Sequence, residues 1–208
     1  MGKARIAQSG TVTTQALKEA CSLLLTVLTV SPTCERAVKL LCGTTIHEAA
    51  FKGQIETVIS NLNSGDNSIS DTNTFQHTIQ HMAAYSGYIE ILKLCGDNID
   101  KCRDVNGYTP SHYAVISGKI DVLRFMVKSN INLCNDKEVT PLHRAVEWNQ
   151  MPVFEYLVEH QQDLSKPNFE FVDHTGKTCL HWAAMFGRIN FVEYLIKRGA
   201  KINAQDHE

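Results

Sequence analysis

Thr140-Pro141-Leu142-His143-Arg144-Ala145 decides the fold, because the chain carries it five times in imperfect form. The other copies are Thr44-Thr45-Ile46-His47-Glu48-Ala49, Thr78-Ile79-Gln80-His81-Met82-Ala83, Thr109-Pro110-Ser111-His112-Tyr113-Ala114 and Thr178-Cys179-Leu180-His181-Trp182-Ala183. Their histidines stand 34, 31, 31 and 38 residues apart, each with a threonine three before and an alanine two after. Recurrence of several residue types in one frame marks a repeat protein.

The hexamer reads as a helix start. A threonine hydroxyl can cap an orphan N–H of the first turn, and proline suits the next position, where an N–H would have no partner. Histidine at the third helical position can bond the capping residue with one ring nitrogen and a neighbouring turn with the other. Alanine keeps the helix thin enough to stack. Six residues past each histidine comes Gly53, Gly87, Gly118 or Gly187, and Asn149 in the fourth copy; these are the residues that best tolerate a left-handed helix cap. A second helix follows with an apolar stripe: Ile120, Val122, Leu123, Met126 and Val127 in the third copy, Ile189, Phe191, Val192, Leu195 and Ile196 in the fifth.

These motifs resemble the ankyrin repeat, whose period is about 33 and whose signature is T-P-L-H-x-A. Asp104-Val105-Asn106-Gly107-Tyr108-Thr109 and Asp173-His174-Thr175-Gly176-Lys177-Thr178 resemble the family's hairpin, and Gly199 to Asp206 its repeat ending. The resemblance covers residues 43–208. It implies an all-α repeat solenoid of helix-turn-helix units with hairpin fingers, in five repeats: 43–72, 73–103, 104–134, 135–172 and 173–208. Residues 17–42 form an N-terminal helical pair, and 1–16 read as a disordered, turn-like start. Gln76 and Glu138 stand where the hairpin glycine belongs, which predicts reshaped fingers. Leu164 to Val172 is surplus and predicts a loop at a finger base.

Within 17–42, Leu17, Cys21, Leu24, Leu25 and Leu28 share a helical face, and Ser31-Pro32 reads as the start of a second helix reaching about Leu41. The pair either shields the flank of the first repeat, as solenoid ends require, or is the tail of another helical domain, an armadillo-like one among the candidates. Leu23 to Val30 is too short for the ~20 apolar residues of a membrane helix. Lys18 and Glu19 before it, and the lack of a cleavage site after it, argue against a signal peptide. Ile6 stands where a myristoylation signal needs Ser or Thr. The chain ends at Asp206-His207-Glu208, where another hairpin would begin, which suggests a fragment or a truncated isoform.

Composition narrows the function classes. Twenty Lys and Arg against 22 Asp and Glu leave no basic footprint for nucleic acid. Seven cysteines without C-x-x-C spacing fit reduced thiols in the cytoplasm or nucleus better than a disulfide framework or a zinc knuckle. No G-x-S-x-G, phosphate loop or H-E-x-x-H is present, and Cys34 and Cys42 lack a basic neighbour at activating spacing, so no enzyme, cofactor or metal site is expected. His77 and His81 have the i, i+4 spacing of a zinc pair, but His77 precedes the Thr78 cap and so lies off the helix.

What remains is a surface. The resemblance implies that a protein or peptide partner binds a concave side built from finger tips and from the fourth and fifth residues after each histidine. Those positions supply Phe51, Tyr85, Ile116, Glu147, Trp148, Met185 and Phe186, and the finger tips add Tyr108 and His174. Half of the ten inner positions are aromatic or methionine, types common at binding hot spots. The competing reading packs some of these rings under adjacent fingers. The expected protein is a monomeric, non-catalytic scaffold or adaptor without membrane insertion. The alternative is the cytosolic ankyrin segment of a larger protein, such as an ion channel or signalling enzyme.

Overall fold

The computed structural model describes residues 2–126, 134–160 and 168–207. Among these residues every regular element is helical. Inner helices α3 (Thr45–Lys52), α5 (Ile79–Ser86), α7 (Pro110–Ile116), α9 (Pro141–Glu147) and α11 (Cys179–Met185) alternate with outer helices α4 (Ile55–Asn63), α6 (Ile89–Leu94), α8 (Ile120–Phe125), α10 (Met151–Glu159) and α12 (Ile189–Lys197). Each inner helix packs on the next, α3 on α5 through to α9 on α11, and on the outer helix of its own repeat. The stack is close because Ala83, Ala114, Ala145 and Ala183 are fully buried along it.

The repeated histidines connect the units. In the second to fifth repeats Nδ1 accepts from the backbone N–H of the capping threonine, as at His112 (3.2 Å to Thr109 N) and His143 (3.2 Å to Thr140 N). The proton therefore sits on Nε2, which donates to the carbonyl just before the next repeat's threonine: His47 to His77 O (2.7 Å), His81 to Tyr108 O (3.0 Å), His112 to Val139 O (3.1 Å) and His143 to Lys177 O (3.2 Å). Each of these four rings thus caps its own helix and holds the following finger. Gly53, Gly87, Gly118, Gly187 and Asn149 all take positive φ, as expected.

Two expectations change. Gln76 and Glu138 adopt φ of 61° and 58°, in the same left-handed region as Gly107 and Gly176, and their fingers keep the shape of the other two. The reason lies at the first finger residue. The Oδ1 atoms of Asn73 and Asn135 each accept two backbone N–H groups, as the carboxylates of Asp104 and Asp173 do in their own fingers. That clamp outweighs the ~1–2 kcal/mol cost of a left-handed side-chain-bearing residue. Glycine is demanded at Gly107, where an added Cβ would lie 2.7 Å from the backbone nitrogen of Asp136. Of the surplus after repeat four, Asn168–Glu170 forms a single 3-10 turn with Phe169 buried; residues 161–167 lie outside the described ones.

The N-terminal pair also departs from its expected bounds. α1 runs from Gly2 to Val30, so the backbone is helical well before Leu17, where the apolar pattern begins and ahead of which an irregular start was expected. Pro32 and Thr33 form a turn, and α2 spans Glu35–Cys42 with Cys34 rather than Ser31 at its cap. α2 packs on α3, and Asn73 Nδ2 donates to the carbonyls of Leu41 and Cys42 at its end. α1 reaches further: Cys21 meets His77 and Tyr113, in the second and third repeats.

Candidate functional site

The face formed by finger tips and inner-helix ends divides into two halves. Over repeats one to three it is closed by α1, whose Cys21, Leu25 and Leu28 are 0%, 3% and 0% exposed. Leu28 and Thr29 share a cleft with Phe51, Tyr85 and Ile116. The Phe51 and Tyr85 rings stack with centroids 5.7 Å apart. Phe51, Tyr85, Tyr108 and Ile116, expected on an open stripe, are therefore buried. Tyr108 lies beneath the Arg144 guanidinium, 4.2 Å from its ring centroid, in a cation–π contact.

Over repeats four and five the face is open. Lys18, Glu19, Ser22 and Leu23 of α1 form one wall of a groove of about 630 Å³, and Asp136, Lys137, His174, Arg144, Glu147 and Trp182 line the rest. Met185 and Phe186, at the positions equivalent to the buried Ile116 and its neighbour, are 58% and 37% exposed. The Phe186 ring leans on Trp182 at 5.6 Å. Trp148 is half-buried at the end of α9, and Glu147 pairs with Arg144 while its carbonyl accepts from Arg188. His174 is exposed, yet its N–H and Nδ1–H both donate to Lys137 O, fixing the fifth finger on the fourth.

Beneath α1 lies a cluster for which no sequence signal existed. Tyr113 donates to Asp104 Oδ2 (2.6 Å) and accepts from His77 Nε2 (2.6 Å), while Asp104 Oδ1 accepts from Asn106 N and Tyr108 N. Cys21 Sγ lies 3.5 Å from His77 Nε2 and 3.7 Å from the Tyr113 hydroxyl. All four side chains are fully or nearly fully buried. Burial opposes charge on Asp104, but hydrogen bonding by His77 and Tyr113 prevails, and its pKa falls below the ordinary carboxylate value. Burial, aided by the Asp104 charge, pushes the Cys21 thiol up to about 12. A thiol, an imidazole and a carboxylate thus meet, but the thiol is protonated and sealed from solvent, the opposite of an activated nucleophile.

Cys21 Sγ, His77 Nε2 and an Asp104 oxygen lie within 4.8 Å of one another, and are metal-binding donors by type. The Tyr113 hydroxyl fills the space between nitrogen and carboxylate and satisfies both, so an ion about 2 Å from each would have to displace it. The hydrogen-bonded set fits the residues better. His77 lies just outside α5, as expected, and its ring meets Cys21, Tyr113 and Asp104 through Nε2 and Asn73 through Nδ1.

Among the described residues no helix is long and apolar enough to cross a membrane. No match was found among curated proteins. A family model described as ankyrin repeats (3 copies) matches residues 46–135 and 126–206. Domains of this kind are generally protein-interaction modules and typically non-catalytic. With the stacked helix pairs, the fingers and the histidine staples, this match shows that the chain belongs to the ankyrin-repeat family.

Proposed function

We propose that the chain is a non-catalytic adaptor that holds a protein or peptide on the open half of its inner-helix face, along Glu147, Trp148, His174, Met185 and Phe186. The observation that carries this reading is the contrast along one structural stripe. Phe51, Tyr85 and Ile116 are buried, whereas Met185 at the equivalent position stays exposed, and Phe186 next to it is exposed and leans on Trp182, which lines the groove. Exposed apolar side chains rimmed by polar ones are a common mark of an interaction site, and aromatic rings dominate binding energy where they are covered. Arg144, Lys137, Glu147 and Glu19 give the rim both signs of charge, which suits a polar partner surface with an apolar centre. The buried, protonated thiols of Cys21, Cys42 and Cys179 fit a reducing compartment, cytoplasm or nucleus.

The test is affinity capture with the whole chain beside a Met185→Ala/Phe186→Ala variant, with circular dichroism on both. A captured protein lost only with the variant, at unchanged helicity, is the expected result. Identical capture by both chains would remove the open half as the binding site.

A further inference from the structure

We propose that the groove over repeats one to three is a helix-binding site, and that α1 is its removable intramolecular occupant. A partner's amphipathic helix takes its place, with a small residue at the Cys21 position and leucines four and seven residues on. The inference rests on the reading of the chain as a protein-interaction module and names the partner's chemistry.

α1 is itself the template. It seats Cys21, Leu25 and Leu28, at i, i+4 and i+7, and turns Leu23, Val27 and Val30 outward at 67%, 43% and 84% exposure. This is the way an amphipathic helix lays one apolar face into a groove. The hold is replaceable by kind. Among the described side chains of α1, residues 15–30, no ion pair ties it to the repeats, and its polar contacts to the cluster beneath are two weak thiol contacts of 3.5 and 3.7 Å. The hydrogen bonds of the floor do not depend on it. His77 donates to Tyr113 and Tyr113 to Asp104, so the buried network closes on itself when Cys21 leaves and no group is orphaned. A groove whose floor stays satisfied in both states can exchange one helix for another at little penalty. The short turn between Val30 and Glu35 keeps a displaced α1 tethered to α2, ready to return.

The experiment uses the full chain and a fluorescent peptide of residues 15–30, read by anisotropy. In the wild-type chain α1 competes, so the peptide binds weakly. Leu28→Asp in the chain alone makes α1 a poor occupant, and apparent peptide affinity should rise about tenfold or more, because the competent fraction rises. A second peptide keeps Leu25 and Leu28, carries Cys21→Ala and has every exposed position changed; it should bind the variant comparably. Tyr85→Asp added to the variant should abolish both interactions. If the Leu28→Asp chain loses helicity, recovery of the helical signal on adding the second peptide supports the proposal equally. Unchanged affinity in a folded variant, or no recovery in an unfolded one, overturns it and makes α1 a fixed part of the core. Binding by the native peptide alone also overturns it, assigning the groove to α1 of a second copy. None of these outcomes involves Met185 or Phe186, so failure here leaves the open-half reading standing.

Discussion

Histidine is the residue on which the stack turns, and its chemistry makes the fold sensitive to acid. Burial holds His81 at about 3, His112 at about 4 and His143 at about 4, so all three stay neutral in the folded chain. In the unfolded chain they titrate near 6.5. A folded value below the unfolded one means that unfolding takes up protons. The stabilisation is complete above pH 6.5 and is lost as pH falls towards 4, by about 1.4 kcal/mol per histidine per pH unit. The carboxylates do not mask this. Burial works against charge on Asp173, but hydrogen bonds from Thr175, Trp182 and Lys177 hold it at about 2, so its contribution fades as pH falls from about 4 towards 2, below the interval in which the histidines act. Thermal melts should therefore show a drop on the order of 10 °C between pH 6.5 and 5.5. A flat profile over that interval would mean that the rings are protonated in the fold. The capping role of these residues was legible because it recurs at one position in five repeats. The Cys21, His77, Tyr113 and Asp104 cluster was not, since its members belong to three segments with no common spacing.

At the scale of the element, the fingers show where a residue rule yields to its surroundings. The rule against positive φ pointed to reshaped fingers at Gln76 and Glu138, yet Asn73 and Asn135 grip the same backbone N–H groups as Asp104 and Asp173. Local propensity is a weaker constraint than two side-chain hydrogen bonds to the backbone. The strain persists, and Gln76 is exposed. Gln76→Gly should stabilise the chain by about 0.5 kcal/mol, the left-handed clash of Cβ with the backbone relieved less the extra unfolded-state entropy of glycine. Urea denaturation reads this directly, and a lower midpoint would show that the Gln76 side chain holds the finger. The partner stripe was legible in the same partial way. Its residue positions follow from the repeat frame, but which half is open depends on where α1 docks, and helix docking across tens of residues leaves no local signature.

For the whole molecule, α1 changes what kind of solenoid this is. A plain stack couples each repeat only to its neighbours, and the histidine staples between adjacent units have that character. α1 adds a strut that touches α2, the Phe51 and Tyr85 positions and Tyr113, spanning three repeats at once. At the other end, α12 shows Ile189 and Ile196 at 69% and 44% exposure, and among the described residues His181 Nε2 meets no carbonyl. The chain should therefore open in two units rather than one. Leu28→Ala removes a fully buried side chain from the strut, a change that typically costs 2–5 kcal/mol. Hydrogen exchange should then accelerate together in α3, α5 and α7, by at least about tenfold for each 1.4 kcal/mol lost, while α11 and α12 keep their wild-type rates. Acceleration confined to α1 would show that it lies on the repeats without supporting them; equal acceleration everywhere would show a single cooperative unit, in which the strut and the staples cannot be told apart.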